Sequence, residues 1–206
     1  MLKVLQMKIT PERISVGFFL FLTVIFFIGN VSKAEVDAPL VKATDKQWGV
    51  LVGYGATHTD LGETKAHVET IDFVLGFEKF LTGVFGPSFI MGRHSLVIEL
   101  PIHFVVDPSE SPMVGINFLA RWTFESGKHI KPYIFGGGGP VYTDADIPGL
   151  GSNLNGNWQI GIGLKFSSIK NHDAVIEYRF HHISNMGTSE PNDPLNSSKI
   201  LLGLKL

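Results

Sequence analysis

Three polar residues near the end of the sequence have the types and spacing that acyl transfer requires. His182 and Ser184 stand two positions apart, and Asn196 follows further along. Histidine has the basicity suited to taking a proton from a hydroxyl near neutral pH. On an extended strand, residues i and i+2 project from one face with their Cβ atoms about 7 Å apart, so the two side chains can reach each other. A third polar group at the far imidazole nitrogen fixes the tautomer in such arrangements, and Asn196 is the candidate. The backbone around Asn185, Met186 and Gly187 could aim N–H groups at a developing oxyanion, each donor being worth typically ~3 kcal/mol. His-x-Ser also recurs by chance, and the alternative is a pair of polar residues anchoring the rim of a membrane barrel. The choice depends on the element that carries them.

That element reads as a strand from about Asp173 to Asn185. Its even positions are Ala174, Ile176, Tyr178, Phe180, His182 and Ser184; its odd ones include Glu177, Arg179 and His181. Such period-2 alternation recurs along the chain. Trp48, Val50, Val52 and Tyr54 interleave with Gly49, Leu51, Gly53 and Gly55, and Ile71, Phe73, Leu75 and Phe77 with Asp72, Val74, Gly76 and Glu78. Leu96 to Phe104, Val114 to Trp122 and Trp158 to Phe166 repeat the pattern, a Gly-rich strand runs from about Pro132 to Tyr142, and a last one from Ser197 to Leu206. This predicts eight strands of about the 9–11 residues that cross a bilayer at a tilt.

Alternation alone does not say which face meets the core. In a soluble lipocalin-like carrier the apolar rows would turn inward; in a membrane barrel they face lipid and the polar rows fill the lumen. The polar rows carry both signs of charge (Asp72, Glu78, Glu99, Arg121, Lys165, Glu177, Arg179, Lys199), as ion pairs inside a narrow barrel would. Trp48, Trp122, Tyr133 and Trp158 lie near strand ends, as in an aromatic girdle. Closure leaves no unpaired edge in lipid. The expected fold is therefore all-β, an eight-stranded antiparallel transmembrane β-barrel of the outer-membrane kind. Short turns are expected at Glu125–Lys128 and Ser167–Asn171, longer outer loops at 58–67, 143–154 and 187–196, and a rather long inner connection at 82–92. His182, Ser184 and Asn196 then meet outside the barrel, at headgroup depth.

Lys3, Lys8 and Arg13 precede an apolar run from Val16 to Ile28, and Ser32 and Ala34 supply small residues before a cleavage point. This is the layout of a secretory signal over residues 1–34, leaving 35–206 as one barrel domain. The run is shorter than the roughly 20 residues of a spanning helix. The segment holds four of the 17 basic residues and one of the 19 acids, so the remainder is more acidic than the whole chain, whose net charge is −2. Such a charge gives no reason to expect a nucleic-acid partner. The absence of Cys among 206 residues excludes a disulfide scaffold, a thiolate metal site and a cysteine nucleophile. His58, His67, His94, His103, His129 and His172 lack metal-ligand spacing, so no metal is expected, and His181 should join the interior network.

The stretch Tyr178-Arg179-Phe180-His181-His182-Ile183-Ser184-Asn185-Met186-Gly187, followed by Pro191-Asn192-Asp193-Pro194 and Asn196, resembles the lipid A 3-O-deacylase family, eight-stranded outer-membrane barrels with an H-x-S-N-x-G motif on a late strand. The resemblance implies a general base at His182, a nucleophile at Ser184, and an oxyanion environment at Asn185 and Gly187. It further implies ester hydrolysis on lipid A of lipopolysaccharide, no cofactor, and residence in the outer membrane; association as a homodimer is left open. The best-described members carry Glu where this chain has Asn196. Asn can accept the ring N–H and orient it but cannot neutralise an imidazolium; outer-membrane phospholipase A is similar in using a Ser-His-Asn set. Glu190, in the adjoining loop, is the alternative acid. A catalytically silent structural barrel and the soluble lipid carrier are the competing functions.

Overall fold

A computed structural model describes residues 46–125, 127, 129–167 and 172–206. The expected signal segment, and parts of the two expected short turns (126, 128 and 168–171), lie outside the described residues.

Among the described residues nine strand segments follow one another: β1 Lys46–Thr57, β2 Glu69–Phe80, β3 Gly92–Asp107, β4 Ser111–Gly115, β5 Asn117–Phe124, β6 Ile130–Thr143, β7 Leu154–Phe166, β8 Asp173–Ser184 and β9 Leu195–Lys205. All pairings are antiparallel, and β1 pairs with β9 from Gly49↔Lys205 to Thr57↔Ser197, which closes the sheet. β4 and β5 are two halves of one stave: both hold the same register against β3 and against β6. The break falls at Ile116, opposite Pro140, whose missing N–H removes a ladder bond. The result is the closed eight-stranded barrel that the alternation predicts.

The faces are sorted as a membrane barrel requires. Val50, Phe73, Phe118, Ile162, Ile200 and Leu202 point outward with 42–61% of their surface exposed, so the apolar rows are not a soluble core. A carrier with its apolar rows turned inward is therefore excluded. Inside, Glu177 accepts hydrogen bonds from Tyr133 Oη (2.6 Å), Arg121 (3.2 Å) and Arg179 Nε (2.9 Å). Arg179 forks onto Glu99 at 2.7 and 2.9 Å, and Arg121 reaches Glu78 at 2.9 Å. Lys199 and His103 both bond Asp72, while His181 lies inside against Asn157. Paired in this way, each buried charge recovers part of the cost of leaving water.

Tyr133 corrects the expectation of a girdle residue: it is buried in the lumen. Gly163, its neighbour on β7, explains why, since a Cβ there would lie 2.2 Å from the Tyr133 ring; Phe135 occupies the space over Gly161 in the same way. Two connections complete the picture. The outer connection between β3 and β4 is short, residues 108–110, since β3 runs to Asp107 and β4 begins at Ser111. The long inner connection is a folded segment, bridged between Phe85 and Gly92 and packed through Phe85 on Trp122 (5.1 Å between ring centres). At the outer end, Ala66, Val68, Val105, Met113, Val141, Ile147, Ile183 and Leu195 form an apolar plug.

The interior network makes a testable claim. Glu177→Ala removes the carboxylate shared by two buried arginines and should cost roughly 3–5 kcal/mol. The check is the temperature at which the folded band converts to the unfolded one on heat-modifiable gel electrophoresis, which should fall well below that of the parent.

Candidate active site

At the outer rim, pairing aligns Trp158 of β7, His182 of β8 and Asn196 of β9 in one lateral row. All three sit on the outward face because they share parity with the apolar positions below them, Ile160, Phe180 and Ile200. His182 Nδ1 lies 2.8 Å from Asn196 Oδ1, and Nε2 lies 3.3 Å from Ser184 Oγ. The three residues named from spacing are thus joined in one hydrogen-bonded chain, Asn196–His182–Ser184. The Trp158 indole stacks on the imidazole (5.2 Å, 21° between planes).

Asn196 is largely covered although it is on the outer face. The loop after β1 folds over it: Asn196 Nδ2 donates to the Leu61 carbonyl (3.0 Å) and to Thr64 Oγ1 (2.9 Å), and its backbone N–H donates to Thr64 Oγ1 (3.0 Å). Glu190 is exposed in the loop between β8 and β9; the Nδ1 partner is Asn196.

Asn185 and Gly187 are placed differently from the expectation. The Asn185 N–H donates to Asn192 Oδ1 and the Gly187 N–H to Asn185 Oδ1, both at 2.9 Å. Neither N–H is therefore free to receive an oxyanion in this arrangement. Asn185 is instead the post of the loop: its Nδ2 donates to the Ser189 and Pro191 carbonyls (2.9 and 3.1 Å). With Met186 and Gly187 both at positive φ (56° and 73°), these bonds fix the tight turn that follows Ser184.

Sequence reading missed Trp158 as a ring partner, Thr64 and Leu61 as the cover over Asn196, and a second polar group beside the site. In the last, His58 Nε2 and the Tyr178 hydroxyl each lie 2.7 Å from Ser198 Oγ. The usable signal was closure itself: once β1 pairs with β9, the end of β1 and the loop after it must lie beside Asn196. The other histidines are dispersed, and no cluster of three or more His, Asp or Glu side chains suited to a metal occurs among the described residues.

Among solved structures, the outer membrane enzyme PagL aligns over 77% of this chain and 98% of its own, with a TM-score of 0.54 and 21% identity. Neisserial surface protein A aligns over 78% of this chain and 96% of its own, at 0.51 and 12%. Identities this low speak for the fold, an outer-membrane barrel. Among curated proteins none matches this chain. A family model described as lipid A 3-O-deacylase (PagL) matches residues 96–205, a stretch that runs from β3 to β9 and contains His182, Ser184 and Asn196. By that match, which takes in more than half of the sequence, the chain belongs to the lipid A 3-O-deacylase (PagL) family.

Proposed function

We propose that this chain is an outer-membrane esterase that hydrolyses an ester-linked acyl chain of lipid A, with Ser184 as nucleophile, His182 as general base and Asn196 as the residue that orients it. The observation that carries the reading is the continuous hydrogen-bonded chain from Asn196 Oδ1 through the imidazole to Ser184 Oγ, on the lipid-facing wall at the outer rim. Membership of the deacylase family supplies the substrate class. A polar chain on that wall is costly unless it is used.

The steps follow from the roles. Ser184 Oγ attacks the acyl carbonyl while its proton passes to His182 Nε2. The tetrahedral oxyanion collapses, and the imidazolium gives that proton to the departing sugar oxygen. Water then attacks the acyl-serine with His182 again as base, releasing a fatty acid and restoring Ser184. Through both halves the Nδ1–H stays on Asn196. Asn196 carries no charge to offset the imidazolium; the π face of Trp158 does part of that work as a cation–π partner. Asn185 and Gly187 serve by shaping the turn after the nucleophile rather than as N–H donors. An acyl chain lying in the outer leaflet reaches Ser184 without entering the lumen. Delivery to that membrane through a signal peptide cleaved after Ala34 belongs to the same proposal.

Refolded protein incubated with lipopolysaccharide should release an ester-linked fatty acid, read by mass spectrometry of the lipid A. Ser184→Ala and His182→Ala should each lower turnover by about 10³-fold or more with heat-modifiable gel mobility unchanged. A parent protein that is folded yet inert on lipopolysaccharide and phospholipid alike would reduce it to a silent barrel.

A further inference from the structure

The cover over Asn196 does more than bury it. An Asn side chain presents an oxygen and an NH₂ of nearly equal size, and either could face an imidazole. The surroundings decide between them here. Leu61 offers a carbonyl, which only accepts, so the group 3.0 Å from it must be the NH₂. Thr64 Oγ1 accepts twice, from the Asn196 backbone N–H and from Nδ2. Oδ1 is then the atom left for His182, and it can accept only from a protonated Nδ1. Nε2 consequently carries the lone pair that faces Ser184. With the amide reversed, two oxygens would oppose each other at Leu61, and the NH₂ would favour the tautomer in which Nε2 is protonated and cannot act as a base.

The loop is built to hold these acceptors in place. Thr57 Oγ1 donates to the Ala66 carbonyl and accepts from the Val68 N–H, both at 2.8 Å, which ties the loop's return to the top of β1. Asp60 N–H donates to the Thr64 carbonyl at 3.0 Å, and Thr64 is buried between exposed Glu63 and Lys65. Gly62, at φ 63°, passes so near that a Cβ there would lie 3.3 Å from Asn196 Nδ2. The loop also lies outside the stretch matched by the family model.

We infer that Thr64 Oγ1 and the Leu61 carbonyl form a clamp that reads the Asn196 amide and thereby sets the His182 tautomer, which makes Thr64 a positioning residue for the reaction proposed above. The clamp rejects a carboxylate at position 196, because one of its oxygens would face the Leu61 carbonyl. It accounts for Asn standing where the resemblance leads one to expect Glu.

Thr64→Val keeps the buried shape and deletes the acceptor. It should lower kcat about tenfold with KM within about twofold, while Thr64→Ser restores the parent rate. Asn196→Asp should lose activity as well, although a carboxylate is the stronger acceptor. An assay-independent readout is the ¹⁵N spectrum of histidine-labelled full-length protein in micelles, with His182 assigned by its loss in His182→Gln. The parent should show the Nδ1-protonated tautomer, and Thr64→Val a mixture. An unchanged tautomer in folded Thr64→Val overturns the clamp, as does an Asn196→Asp variant as active as the parent. If the tautomer shifts while the parent hydrolyses no lipid, the clamp stands and the esterase reading falls. If Ser184→Ala abolishes turnover while Thr64→Val changes neither tautomer nor kcat, the clamp alone fails.

Discussion

A β-sheet in hydrocarbon cannot leave an edge unpaired, and the rest of this molecule follows from that constraint. Each unsatisfied backbone group in lipid costs several kcal/mol, so β1 must find β9. That pairing joins segments at opposite ends of the described chain, from Gly49↔Lys205 to Thr57↔Ser197. It also brings the loop after β1 onto the outer end of β9, where Leu61 and Thr64 cover Asn196. The polar chain at the rim is therefore assembled from β8, β9 and a loop that is remote in sequence and adjacent only because the cylinder shuts.

Closure at eight strands also dictates the composition. An interior so narrow is filled by side chains, and the strands supply acids and bases in matched positions: Glu78 and Glu177 on Arg121, Glu99 and Glu177 on Arg179, Asp72 on Lys199. Tyr133 and Phe135 take the remaining width where Gly163 and Gly161 leave it. Low overall charge and high Gly content, odd for a soluble enzyme, are what a lipid-facing skin and a crowded lumen require.

Much of this was legible in the sequence because membrane strands obey a period of two. The alternation located every stave and put His182 and Ser184 on one face, where the structure holds them 3.3 Å apart. What escaped depends on contacts that periodicity does not encode. Tyr133 was assigned outward because aromatic residues near strand ends belong to girdles, yet a glycine across the ladder drew it inward. The break at Ile116 depends on a proline in the facing strand, Pro140, not on its own neighbours. Asn185 and Gly187 looked like free N–H donors, but Asn192 and the Asn185 side chain had already claimed them. The partnership of Thr64 with Asn196 required knowing how a loop folds over the rim, for which the sequence carries no local signal.

The apolar plug at the outer end and the ion pairs beneath it have a further consequence. With its bore packed shut, the cylinder offers no conduit for ions or small solutes. A cell could carry many copies without weakening the permeability barrier that its outer leaflet provides. What the molecule offers to lipid is its outer wall, within the plane of the membrane.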